Sequence, residues 1–272
     1  MEANYMGICR DLGYYCPMRC IAGVCIALCL CAFAPLHGQS SSSGFFKDTF
    51  DQMLRADPEY ATAVGHHEYD DRWTDWSKSA RDERRRFFEQ RLAQLNSAPS
   101  GDSAQDLLTK RVVRYDFESR LEAWDLDTHL LRVGQLFGFH NRAYTVIDQM
   151  PARNVRDYEN IIARLRAFPA YVDQNIGILD ESIASGMMQS RIVAELVIEQ
   201  IEAQLKQDAE HTELLKGFRA FPAAIPQTEQ TRLRREALDA YNQKFLPSWQ
   251  RLHDSWWPLI FLVSAPLTAF HP

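Results

Sequence analysis

From Phe45 onward, apolar residues recur at intervals of three and four, the spacing of one face of a helix, and no run of β-branched residues alternates with period two. An all-α fold follows. Phe46, Phe50 and Leu54 predict a first helix to about Ala56, and Asp57-Pro58 restarts a short one that Gly65 ends. A helix over about Ser79 to Asn96 is expected to open on Ser79 and Asp82 in capping-box spacing and to show Phe87 or Phe88, Arg91 or Leu92, and Leu95 on one side. Its loop is Ser97-Ala98-Pro99-Ser100-Gly101. Ser103 and Asp106 repeat the capping pattern ahead of a helix reaching roughly Leu131, with a broad stripe of Leu108, Val112, Val113, Tyr115, Phe117, Leu121 and Trp124.

The next 22 residues, RVGQLFGFHNRAYTVIDQMPAR, hold two glycines and a proline without a clear period, and read as a long irregular segment. Asn154 then caps a helix whose stripe, Val155 to Leu165, continues beyond Pro169 as Val172, Ile176, Leu179 and Ile183. A helix over Arg191 to Gln207 buries Val193, Val197, Ile201 and Leu205. Thr228 starts the last one, with Leu233, Ala237, Tyr241 and Phe245 on one face, interrupted at Pro247 and ending near Trp257. Long helices and mostly short loops predict an antiparallel helical bundle of amphipathic helices kinked at Pro169 and Pro247.

The two ends differ from this pattern. Cys20 to Ala34 is an apolar run of 15 residues between Arg19 and a small, polar exit, which matches a secretory signal peptide over residues 1–39 better than a membrane span. Met18 is the better natural start, because Met-Arg then directly precedes the run. All six cysteines lie at or before Cys31, so no disulfide or thiolate metal site is available beyond it. The expected location is periplasmic or secreted, with an uncleaved N-terminal anchor as the alternative; membrane contact is confined to the signal segment. The tail, Pro258 to Pro272, is uncharged and apolar, carries three prolines and is too short to span a bilayer.

Composition narrows the partners. Thirty Lys and Arg against 36 Asp and Glu, a net charge of -6, argue against nucleic acid. The basic run Arg81 to Arg86 is interleaved with acids and reads as a solvated helix face.

Chemical candidates are few. In GHHEYDDRW (Gly65 to Trp73), His67, Glu68 and Asp71 spell H-E-x-x-D, close to the zinc signature H-E-x-x-H. Gly65, Asp70 and Asp71 oppose the helix that such a site needs, and no third ligand is nominated nearby. The preferred reading is a turn in which Asp70 or Asp71 accepts backbone bonds or pairs with Arg72, while Tyr69 and Trp73 pack inward. His140, with Asn141, Arg142 and Tyr144, falls in the irregular segment, where it either meets a ligand or pins the segment to the bundle. No nucleophile elbow or phosphate-binding glycine loop is present.

Three ordered stretches carry a family resemblance: DPEYATAVGHHEYDDRWTDWS (Asp57 to Ser77), RVVRYDFESRLEA (Arg111 to Ala123) and DYENIIARLRAFPAYVDQNIGILDESIASGMM (Asp157 to Met188). Together they resemble the bacterial domain of unknown function 885 family, over about residues 45–257. That resemblance implies a zinc metallopeptidase-like protein whose zinc signature, H-E-x-x-P-G-H-H, lies beyond the matched region; the present sequence contains no such segment. It implies a non-catalytic N-terminal helical part, inactive alone and truncated before the zinc-binding half, with zinc expected only in full-length members and a peptide or other small substrate as partner. His67, Tyr69, Asp70 and Arg72 are carried over as cleft or scaffold residues, beside His140 and Arg142 from the residue reading. A self-sufficient helical binding or scaffold protein of the cell envelope is the alternative.

Overall fold

The computed structural model describes residues 41–97 and 103–263, and among them every regular element is helical. The expected signal peptide with its six cysteines, the Met18 start, most of the Ser97 to Gly101 loop and the tail beyond Val263 lie outside the described residues.

Local signals set most boundaries. Helix α1 (Ser41–Ala56) hands over to α2 (Pro58–Ala63), where the Asp57 carboxylate accepts the Tyr60 amide at 2.9 Å and Pro58 holds the first helical position. Gly65, at φ +85°, closes α2: its amide returns to Thr62 O and the His66 amide to Ala61 O, a left-handed C-cap that a side chain would strain. Helix α3 (Lys78–Ser97) begins one residue earlier than Ser79 would place it, because the Ser77 hydroxyl accepts the Ala80 amide at 3.3 Å and Asp82 pairs instead with Lys78. The expected Ser103–Asp106 capping box is formed at the head of α4 (Ala104–Asp125).

That helix stops six residues short of Leu131. Asp127 turns left-handed at φ 54° and a 3-10 turn, Thr128–Leu130, redirects the chain. Its stripe is also only half covered. Phe117 is buried against Phe88 of α3, their ring centroids 5.2 Å apart, but Leu108, Val112 and Tyr115 are 55%, 61% and 74% exposed.

The segment read as irregular contains an 11-residue helix, α5 (Phe139–Gln149). Its buried face is Phe139, His140, Ala143, Val146 and Ile147, a helical spacing that begins directly after Gly138 and is diluted by polar residues. Helix α6 (Val155–Ser185) opens on Asn154, whose side chain accepts the Asp157 amide at 3.1 Å, and ends at Gly186 with φ +73°. At 31 residues, about 46 Å long by its rise, it remains helical through Pro169.

Helix α7 (Arg191–Leu205), a 3-10 turn (Glu213–Phe218) and α8 (Gln227–Ala240) follow. Between α8 and α9 (Leu246–Val263) the chain makes a π-turn, Tyr241–Phe245, in which the Leu246 amide reaches back five residues to Tyr241 O. Pro247 has no amide to donate, and the wider turn just before it keeps the path helical. Helix α9 runs beyond the Trp257 end that the pattern suggests, to Val263.

The core lies around α6. Leu233, Ala237, Tyr241 and Phe245 are buried as the spacing predicts, and Phe168 stacks on Phe245 with centroids 4.3 Å apart. Trp73 joins from the turn after α2, stacked on Tyr171 at 4.8 Å. No described helix is long and apolar enough to cross a membrane.

Candidate functional site

Two arginines of opposite character, one buried and one partly exposed, organise the region between α2, α5 and α6. The first is Arg164 of α6, fully buried. Its Nε donates to Arg72 O at 3.0 Å, one terminal nitrogen to Thr62 Oγ1 at 3.0 Å, and the other to Tyr69 O at 3.1 Å and Pro58 O at 3.4 Å. Asp70, also buried, lies 3.9 Å from the guanidinium and accepts the Thr62 hydroxyl at 2.5 Å. The Trp73 indole returns a bond to Arg164 O at 2.8 Å, so each segment holds the other by a backbone carbonyl. Burial lowers the Arg164 pKa and the Asp70 charge opposes it; an arginine stays charged under such a shift.

This arrangement answers the H-E-x-x-D question. His67–Tyr69 is a single 3-10 turn, His67 Nδ1 lies 3.0 Å from Asp70 Oδ2, and Asp71 pairs with Arg72 through two bonds of 2.7 and 3.1 Å. That pairing also holds the Asp71 carboxyl below its usual range. His67, Tyr69 and Asp70 therefore surround the Arg164 clamp, whereas Arg72 contributes its carbonyl and points its side chain outward, 58% exposed. Zinc does not fit these residues: His67 faces Asp70, Glu68 faces His66 and Asp71 pairs with Arg72, and among the described residues no group of three or more His, Cys, Asp and Glu is placed to hold a metal ion.

The second arginine, Arg132, lies in the loop before α5. Its Nε donates to Asn175 Oδ1 at 2.8 Å, and the guanidinium carbon sits 3.7 Å from the centre of the Trp76 ring, a cation–π contact. Among the described residues no carboxylate pairs with it. It lines a cleft of about 460 Å³ together with Glu59 of α2, Leu136, Phe137, Arg142 and Val146. Glu59 is buried and accepts the Thr74 amide at 2.9 Å and the Thr74 hydroxyl at 2.5 Å on one oxygen. Burial pushes its carboxyl above the usual range, and the charge of Asp57 pushes it further.

Arg142, half exposed, lines the same cleft and lies 3.7 Å from Asp57. His140 does not: it is fully buried on α5, with Nε2 2.9 Å from Gln200 of α7. That bond joins α5 to α7, and His140 stands on a helix rather than in the irregular segment expected. Burial lowers its pKa, opposed by the Gln200 bond. A Cβ at Gly138 would come within 2.5 Å of the His140 ring, so a glycine is required there.

Sequence reasoning passed over Glu59, Arg132, Arg164 and Tyr171. Arg164 stands inside the quoted DYENIIARL motif, where a charged residue on an otherwise apolar face was the available signal. Arg81, taken for part of a solvated face, is buried and binds Glu181 of α6 through two bonds of 2.9 and 2.5 Å. Arg84 of the same run lies over the Trp76 ring at 4.7 Å.

The fold and site define an all-helical domain whose N-terminal segment is clamped onto one long helix beside an arginine-lined cleft. The chain belongs to the family described as bacterial protein of unknown function (DUF885), whose model matches residues 58–256. No curated protein matches the sequence. Among solved structures it is similar to the "putative lipoprotein" from Colwellia psychrerythraea, at 13% identity with a TM-score of 0.72, over 81% of this chain. The chain spans 41% of the length of that protein.

Proposed function

We propose that the described helices are a non-catalytic part of an exported, metallopeptidase-like protein and wall one side of its substrate cleft. The observation that carries this reading is one of proportion: the fold of this chain accounts for less than half of the Colwellia psychrerythraea protein, so the shared helices are one portion of a longer architecture. The open stripe of Leu108, Val112 and Tyr115 on α4 supports it, since apolar residues at i, i+4 and i+7 are what a packed neighbour covers. The lipoprotein designation of that neighbour, and the signal-like N-terminus of this chain, support the cell envelope as its location.

The test is hydrolysis of a broad fluorogenic peptide mixture by the purified chain with added zinc. No chelator-sensitive turnover is expected; turnover that a chelator abolishes overturns the proposal. The second reading, a self-sufficient binding or scaffold protein, is favoured by the closed core around α6. It requires a monomer that melts in one cooperative transition, and sedimentation with calorimetry decides whether it has one.

A further inference from the structure

The Arg164 clamp accounts for all of its polar groups, and the Arg132 cleft does not. We propose that the cleft lined by Glu59, Arg132, Phe137 and Arg142 is a binding site for a small ligand that carries one carboxylate beside an apolar group, the carboxylate being taken by Arg132 and Arg142.

Three observations converge on it. The guanidinium of Arg132 is held by Asn175 through Nε alone, with Trp76 against it, which fixes its position and leaves its terminal nitrogens for an anion. Gly138, Phe139 and Asn141 at the N-terminus of α5 also line the cleft without a side-chain cap; the Phe139 amide is taken by Arg132 O and the Asn141 amide by Gly138 O, both at 3.1 Å, so the helix adds the positive end of its dipole there rather than a row of free amides. The Tyr171 hydroxyl, 2% exposed and without a hydrogen-bond partner, does not line the cleft but lies within electrostatic reach of Glu59, Arg132 and Arg142. Several buried polar atoms of the described residues lack a partner, and Tyr171 is the one among them that shares the field of Arg132, Arg142 and Glu59, where a ligand or water would complete its bonding.

The chemistry of the walls selects the ligand. Leu136 and Phe137 stand exposed at the rim, and with Val146 they offer an apolar surface next to the arginines. The cleft of about 460 Å³ falls within the range of small-molecule sites. Asp57 already faces Arg142 at 3.7 Å and Glu59 stands close by, so the positive charge left for a ligand is small, and a single carboxylate exceeds it less than a dianion such as phosphate does. Two sources share this chemistry, a free acid and the C-terminus of a peptide. The inference goes beyond the proposed function, because the site belongs to these helices alone.

The experiment is calorimetric titration of the full chain with N-acetylphenylalanine and with its amide, and with a tetrapeptide ending in phenylalanine as free acid and as amide. At least one acid is expected to bind, with its amide weaker by about tenfold or more, as loss of a charge-assisted pair requires. Binding of the tetrapeptide acid assigns the peptide terminus as source; its exclusion while N-acetylphenylalanine binds assigns the free acid. Arg132→Gln and Arg142→Gln each weaken the acid by about tenfold, and Tyr171→Phe weakens it less. Arg142 is half exposed, so its variant folds even if Arg132→Gln does not. Equal binding of acid and amide, binding of neither acid, or affinity unchanged in Arg142→Gln overturns the proposal. The readout is binding, not turnover, so its failure is distinct from a positive peptidase assay.

Discussion

Arg164 and Arg132 are 32 positions apart in sequence and occupy the same region of the fold, yet one is saturated and the other open. Arg164 reaches three backbone carbonyls, a hydroxyl and a carboxylate, all from residues 58–72. Arg132 has one side-chain hydrogen bond and an aromatic face. A guanidinium whose donors are all taken within its own chain is a fastener: its free energy is committed to holding a turn in place. One positioned by a single bond keeps donors for something that is not part of the chain.

The largest expected effect breaks the fastener. Arg164→Ala strands Asp70 as a buried, uncompensated carboxylate and releases three carbonyls, which costs about 3–5 kcal/mol, measured as a fall in the urea midpoint. The matching change at the open site is milder. Arg132→Gln loses a cation–π contact and a charge-assisted bond, about 1–2 kcal/mol in all; a loss as large as that of Arg164→Ala in the same titration collapses the distinction between the two.

A third prediction concerns the acid between them. The Glu59 pKa is raised in the folded state, so the folded protein binds a proton more readily than the unfolded chain. Its contribution is fully present below the unfolded carboxylate pKa and is lost as pH rises through the folded value. Glu59→Gln, which removes the charge and keeps the acceptor for Thr74, is therefore expected to raise the melting temperature at neutral pH, with the gain fading towards pH 4. A constant offset between variant and parent across that range contradicts the assignment. The smallest effect is at the surface: Arg72→Ala removes an exposed pair with Asp71 and leaves the Arg72 carbonyl in the clamp, so stability changes by less than about 0.5 kcal/mol.

How much of this was legible depends on range. Caps at Asp57, Ser103 and Asn154 are satisfied within three residues, and the apolar intervals of α6 and α8 repeat within a turn; both were read correctly from neighbours in sequence. α5 escaped because Gly138 and the polar Asn141, Arg142 and Thr145 mask a helix whose buried face is completed by α7 and by the His140–Gln200 bond, 60 positions apart. Arg81 misled for the same reason, since Glu181, 100 positions away, turns a solvated charge into a buried pair. The stripe on α4 misled in the other direction: its spacing is helical, but spacing reports which residues share a face and not whether another element covers it.

The amino-acid order alone thus determined the all-helical class, most helix boundaries and the buried face of the C-terminal helices, because periodicity and capping are interactions of three or four residues. The tertiary structure decided which arginine became a clamp and which a cleft wall, and turned an H-E-x-x-D string into a fastened 3-10 turn. Those outcomes rest on contacts that cross about 90 positions, such as Trp73 to the Arg164 carbonyl, a separation of 91. Free energy at that distance depends on which groups the folded chain brings together, and no local pattern encodes it.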